Sequence, residues 1–412
     1  MSSSIFVLLI LAVSASALST RTTTTSSISR DISALDSRQS GFNHPGLLHT
    51  NRDFIRVRAY VESGIPPWSI GWVKLLNHID ISYVPTPHPT IWRGTNTEHA
   101  QNYPDLYFDI AAAYTLAIGW KITGDSAYAA AAASILDAWS STLVEIRGPS
   151  DRFLASGLYG YQLANVAEIL RDYDDWDGFD AMAGLLLDVF YPMNSEFIAY
   201  HLYQPDDHYW ANWDLANIAA MMAIGVLVDD RDIWDEAVDY FKRGNGMGAI
   251  ENAIWTLHYD NTSKILGQGQ EAGRDQGHSI LDFALLGVVA QQGYNQHEDL
   301  WAYLDNRILA GAEYMAKYNT GHDVPFTTYV NSVHGTYTEI SSTGRGGIRP
   351  IGELIYSHYA SIKGLDASFI GAYRDMVVEA GGGAEGGVGD YGRTSGGYDQ
   401  LGFGTLLFRL EA

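Results

Sequence analysis

The sequence predicts an all-α chain folded as an α/α toroid, an incomplete barrel of helical hairpins with long loops at one mouth. Three observations carry the prediction. From residue 104 onward, apolar residues recur at helical spacing in paired segments separated by short turns. One member of each pair is apolar nearly all round, as expected of a helix buried on more than one side. Long polar, aromatic and Gly-containing inserts, residues 80–103, 192–209 and 244–274, interrupt the pairs. Loops of that length usually carry function.

The elements follow in order. The apolar run from Ile5 to Val13 ends in Ala15-Ser16-Ala17. Residues 1–17 therefore read as a secretory signal with its small-residue cleavage site, too short to span a bilayer. Residues 18–44 read as a Ser/Thr-rich disordered leader, and residues 45–412 as one folded domain. Within it, segment 104–122 pairs with 126–142 across Gly124-Asp125, and 154–173 with 178–191 across Asp174-Asp175. Segment 210–229 pairs with 232–243, 277–291 with 298–318, and 350–363 with 368–380. Stacked helical pairs give a solenoid or a closed toroid. The absence of a sequence-identical repeat and the length of the inserts favour the toroid. Residues 324–340 suggest a short hairpin, and the Gly-dense stretch 381–404 an irregular tail packed on the same mouth.

Composition removes several functions. The 412 residues include no Cys, so thiolate metal sites, disulfides and a Cys nucleophile are excluded. A formal net charge of −23 makes the chain a poor partner for nucleic acid or an anionic membrane. Walker, Gly-x-Gly-x-x-Gly, His-Glu-x-x-His and Gly-x-Ser-x-Gly motifs are absent. Asp206-Asp207-His208 is a weak metal signal, because consecutive ligands on one short stretch rarely close a site. No metal or cofactor is expected.

Three polar segments could carry chemistry. The densest, Leu266 to His278, places Gln268, Glu271, Arg274, Asp275, Gln276 and His278 just before an apolar helix, where the helix dipole favours anions. Its plainer reading is a capping network with Glu271 paired to Arg274. The second runs from Asp206 through His208, Tyr209 and Trp210 to Asn212 and Trp213, at the start of another apolar helix. A buried amide such as Asn212 needs partners or a ligand; Trp210 and Trp213 are either sugar platforms or core. The third carries Arg345 and Arg349 in a Gly-rich lead to Glu353, Tyr356 and His358. Near it, Val324-Pro325-Phe326 could bring Tyr329 to the mouth.

At these motifs the sequence resembles the alginate lyase superfamily. The resemblance runs from about Pro45 to the C-terminus and is most specific in the block Glu271-Ala272-Gly273-Arg274-Asp275-Gln276-Gly277-His278. It includes Asn212-Trp213, Glu313-Tyr314, Tyr356-Ser357-His358-Tyr359 and Gly402-Phe403-Gly404. Better-known members carry Asn-Asn-His where this chain has Asp206-Asp207-His208. The resemblance implies a secreted, extracellular toroid that cleaves 4-linked uronate polymers, alginate or glucuronan, by β-elimination, without a cofactor and as a monomer.

Such a reaction needs donors that neutralise the uronate carboxylate, a base for H5 and an acid for O4. Asn212 and Arg274, helped by Gln276, are assigned to the carboxylate. His208 or His278 is assigned as base, and Tyr329 as acid or as both. Glu271 would orient Arg274. Gln268, Tyr209, Trp213, Arg345, Arg349, Tyr356 and His358 would contact the anionic polysaccharide. An acidic chain can bind a polyanion only if Arg274, Arg345 and Arg349 gather at one mouth. A glycoside hydrolase using Glu271 and Asp207, or a non-catalytic carbohydrate-binding protein, are the alternatives.

Overall fold

The computed structural model describes residues 41–411. The expected signal, residues 1–17, and most of the expected leader lie outside them. Phe42, Asn43 and His44, also expected in the leader, belong to the fold. Phe42 is buried against Trp234, Asn43 bonds to Gln296, and His44 Nδ1 lies 2.6 Å from Glu168.

The opening pair is α1 (Asn51–Glu62) and α2 (Trp68–Leu76). Then come α3 (Tyr103–Thr123) with α4 (Ser126–Ser140), and α5 (Asp151–Leu170) with α6 (Phe179–Leu185). A π-helical turn, Leu186–Phe190, carries α6 into α7 (Tyr191–Tyr200). Next are α8 (Ala211–Leu227) with α9 (Arg231–Arg243), and α10 (Gln276–Asn295) with α11 (Tyr303–Asn319). The last pair is α12 (Gly352–Tyr356), extended by a π turn to Ile362, and α13 (Ser368–Ala380). The expected pairs are thus present. The stretch 192–200, expected as an insert, is helical, and α1 and α2 were not anticipated.

The turns follow from their residues. Gly124 ends α3 with a left-handed φ of 77°, and Asp125 caps α4 by accepting from Ala127 N. Asp230 caps α9 in the same way. Helices α3, α5, α8 and α10 are buried nearly all round and line the inside of the ring, α3 against α5, α5 against α8, and α8 against α10. Gly157 of α5 permits a close approach to α8. A Cβ there would come within 2.7 Å of the Ala216 backbone on α8. Gly287 of α10 faces Leu354 and Ile355 of α12 and continues the ring.

A C-terminal strap closes it. Residues Gly404–Leu407 pack on α1, α2 and α12. Arg56 donates to the Leu407 carbonyl at 2.6 Å, and Trp68 Nε1 to the Arg409 carbonyl at 3.2 Å. On the α12 side, Glu353 accepts from Thr405 Oγ1 at 2.6 Å and from Arg409. Among the described residues, strands occur only in two-stranded pairs: β1 (Thr90–Trp92) parallel to β2 (Glu145–Arg147), β3 (Ile254–Tyr259) antiparallel to β4 (Ile265–Gly269), and β5 (Tyr329–Asn331) antiparallel to β6 (Gly335–Tyr337). The last is the hairpin expected within 324–340.

Two of the buried histidines, His49 and His358, are expected to weaken the fold in acid. His358 is wedged among Tyr294, Trp301 and Tyr359, and neither ring nitrogen has a partner. Burial pushes its pKa down to about 4, as it does for His49. The unfolded chain takes up a proton below about 6.5 and the native chain does not until about pH 4. Stability from each group is therefore complete above pH 6.5 and falls as the pH drops through that window, by roughly 3 kcal/mol at most per site. His44 and His201, whose pKa values rise beside carboxylates, act in the opposite sense. His358→Phe is expected to raise the melting temperature and to lessen its fall between pH 6.5 and 4, measured by thermal melts across pH.

Candidate active site

The long loops that precede α8, α10 and α12 meet at one mouth. Helix α8 has no capping side chain of its own. Its first N–H groups are taken by the loop before α10: Gln270 Oε1 accepts from Ala211 N at 3.1 Å, and Glu271 Oε1 from Asn212 N at 3.3 Å. A carboxylate there is favoured by the helix dipole. Asn212 Nδ2 donates to the same Glu271 oxygen at 2.5 Å, and Arg274 Nη1 donates to Glu271 Oε2 at 2.6 Å. Glu271 and Asn212 are fully buried. The Arg274 side chain remains 26% exposed, its guanidinium 4.9 Å from the Trp210 ring centroid. Two donor types suited to a carboxylate thus converge on a resident one, with Arg274 open to solvent on one side.

Tyr329 joins this cluster through Gln270, whose Nε2 donates to the phenol oxygen at 2.8 Å. Burial raises the Tyr329 pKa, with the bonds to Gln270 and Asn331 pulling partly back. The phenol is protonated at neutral pH.

The β5–β6 hairpin folds over the start of α8. Asn331 Nδ2 donates to the Asp207 carbonyl at 2.6 Å, and Ser332 donates to the Asp207 carboxylate from both its N–H and its hydroxyl. His334 Nε2 donates to the His208 carbonyl at 2.9 Å, while its ring stacks on Trp210 at 4.9 Å. The His208 ring stands 6.0 Å from that of His334. Its pKa is lowered, first by burial and then by His334, so it is a neutral imidazole near pH 7. His278, 41% exposed, sits in the first turn of α10 with Nδ1 2.6 Å from Asp275 Oδ2.

Several expected site residues are placed elsewhere or already used. Gln276 has its amide filled by Asn319 Nδ2 at 2.9 Å and the Ser341 carbonyl at 3.0 Å, so it braces the 341–347 loop. Gln268 clamps the Thr327 backbone, accepting from its N–H and donating to its carbonyl, both at 2.8 Å. It thereby holds the loop that leads to Tyr329. Tyr209 and Trp213 pack on Phe197, with centroids 5.0 and 6.0 Å away, and read as core.

The third segment does not join the cluster either. Arg345 donates to the Tyr318 and His322 carbonyls at 2.9 Å and closes the end of α11. Arg349 holds the C-terminal tail through the Gly396 carbonyl, Asp399 and Gln400. Tyr356 lies under Arg374, 3.9 Å from its centroid, and His358 is in the core. The expected gathering of three arginines is therefore not formed; Arg274 alone of the three reaches the cluster. Gln270, His334 and the buried Asp282 were not singled out from sequence, although Gln270 stands inside the dense segment Leu266 to His278.

A family model described as alginate lyase matches residues 80–324. No curated protein matches the chain. Among solved structures, the chain is similar to alginate lyase A1-III from Sphingomonas species A1, at 15% identity and a TM-score of 0.51 over 80% of this chain and 92% of that one. A variant of that enzyme complexed with a tetrasaccharide gives 16% identity and 0.52, over 80% of this chain and 92% of that one. An alginate lyase from Bacteroides ovatus gives 12% identity and 0.55, over 89% of this chain and all of that one (100%). Likeness at such identities speaks for a shared fold. With a family match spanning more than half its length and a toroid in common with those structures, the chain belongs to the alginate lyase family of polysaccharide lyases.

Proposed function

We propose that the protein is a secreted, monomeric enzyme that cleaves a 4-linked uronate polymer by β-elimination, alginate first and glucuronan second. The observation that carries this reading is the convergence of Asn212 and Arg274 on one carboxylate, joined through Gln270 to the protonated phenol of Tyr329, with the neutral imidazole of His208 on the loop that enters α8. The C5 proton of a uronate becomes removable only when the adjacent carboxylate is neutralised. Amide and guanidinium donors held in a buried site serve that purpose. Neutral His208 is able to accept H5, and the Tyr329 phenol to donate to O4 as the glycosidic bond breaks. His278, exposed but tied to Asp275, is the second candidate base.

The geometry disfavours the hydrolase alternative. It requires two opposed carboxyl groups facing the scissile bond. Glu271 is spent on Asn212 and Arg274, and Asp207 on Ser332.

The test is a panel of mannuronate-rich alginate, guluronate-rich alginate and glucuronan. An elimination leaves 4,5-unsaturated ends that absorb in the ultraviolet. New reducing ends without that absorbance would refute the reading in favour of hydrolysis, and binding without new ends would refute it in favour of a lectin-like role.

A further inference from the structure

Behind Glu271, on the second turn of α10, stands Asp282. It is 1% exposed, and neither carboxyl oxygen finds a donor among the amide, hydroxyl and guanidinium groups around it. An ionised carboxylate so enclosed would cost several kcal/mol. The Glu271 carboxylate lies within hydrogen-bond reach of it, and the charges of Arg274 and Asp275 also act on it. Two carboxyl groups in contact form a bond only when one carries a proton. Glu271 already accepts from Asn212 N, Asn212 Nδ2 and Arg274. The proton therefore belongs on Asp282, and burial together with the Glu271 charge holds its pKa well above the carboxylate range.

We propose that Asp282 is a positioning residue of the elimination site: as a neutral acid donating to Glu271, it fixes the carboxylate that holds Asn212 and Arg274. It also removes one negative charge from beneath the place where a uronate carboxylate binds. Were both carboxyls ionised, Glu271 and Asp282 would outweigh Arg274 and leave the cluster anionic. With Asp282 protonated, one negative charge fewer faces Arg274, which already meets Glu271 at 2.6 Å and Asp275 at 3.8 Å, and the exposed side of the guanidinium can face the uronate carboxylate. The inference rests on the elimination reading for its kinetic consequence, not for the shared proton.

The experiment uses the full chain and two variants. Asp282→Leu keeps the number and branching of the heavy atoms but has no proton to donate. Glu271 keeps its donors from Asn212 and Arg274, so the variant is expected to fold. Its kcat/KM on alginate should fall by roughly thirtyfold or more, in the range seen when an outer partner of a site is lost. Asp282→Asn restores a donor that is never charged and is expected to recover most of that loss. It is also expected to abolish any alkaline fall in activity that arises from ionisation of Asp282. A folded Leu variant with wild-type kcat/KM overturns the proposal, and so does an Asn variant as impaired as Leu.

An infrared difference spectrum between the wild type and Asp282→Asn at neutral pH reads the proton directly. The band of a protonated carboxylic acid is expected in the wild type, and its absence overturns the proposal whatever the activity. If the band is present but the wild type produces no unsaturated ends from any polyuronate, the elimination reading fails and the shared proton stands.

Discussion

Asn212→Ala is expected to lower kcat/KM on alginate by about two to three orders of magnitude, the usual loss when one donor to a developing anion is removed. The side chain does two things in the free protein. Its Nδ2 donates to Glu271 Oε1, and through that carboxylate it is linked to Arg274, whose guanidinium is partly exposed. Removing the amide leaves Glu271 with Arg274, one backbone N–H and the proposed Asp282 proton, at a cost of about 1–3 kcal/mol. A large core absorbs that loss without unfolding. The fall in activity should sit mainly in kcat, because the donor matters most when charge builds on the uronate carboxylate.

Asn212→Asp should be more severe. It places a second carboxylate against Glu271 and turns a donor into an acceptor, repelling the substrate at the atom that must be neutralised. Arg274→Lys should also be weak, since a point charge cannot span Glu271 and a second carboxylate as the planar guanidinium does. Steady-state kinetics with the ultraviolet assay, beside thermal melts, separate the chemical loss from unfolding. An Asn212→Ala enzyme within about threefold of the wild type, a difference of less than 1 kcal/mol, would sink the assignment.

Much of the ring was legible because it is written in local periodicity. Helices such as α3 and α8 are apolar nearly all round, and Gly124-Asp125 and Asp230 mark their turns with known cap chemistry. Helices α1 and α2 were missed because they lie ahead of the apolar pairs and expose much of their surface, Ile70 and Val73 included. The β3–β4 hairpin was missed because its strands sit inside a polar insert and are short.

The site was legible only in part. Gln268 to His278 stood out by density of polar groups, but density does not say which amide is free. Gln276 and Gln268 are consumed by backbone carbonyls of loops more than fifty residues away in sequence, and Arg345 and Arg349 by the ends of other segments. Such long-range partners have no sequence signal. Asp282 was hidden for another reason: a carboxyl in an apolar helix reads as an ordinary surface position until the ring is seen to bury it.

Tyr329→Phe is the second large effect. The phenol is held by Gln270 at one end of the donor cluster, and its ring packs against Trp255 and Tyr337 at centroid distances of 5.5 and 6.4 Å. The substitution keeps that packing and removes only the hydroxyl, so KM and the melting temperature should change little. If the hydroxyl donates to O4, kcat should fall by about two to four orders of magnitude.

The pH dependence gives the sign. Tyr329 must be protonated, and burial lifts its pKa above the ordinary phenol value of about 10, so it imposes no loss through neutral pH. His208 must be neutral, and its pKa lies below the ordinary imidazole value of about 6.5, so kcat/KM should climb with pH and level off below that point. His208→Ala should erase this acid limb along with most of the rate, whereas Tyr329→Phe should keep the limb at a far lower plateau. An acid limb that disappears in Tyr329→Phe and persists in His208→Ala would reverse the two roles. A Tyr329→Phe enzyme retaining more than about a tenth of kcat, a barrier change under 1.4 kcal/mol, would remove the phenol from the proton path.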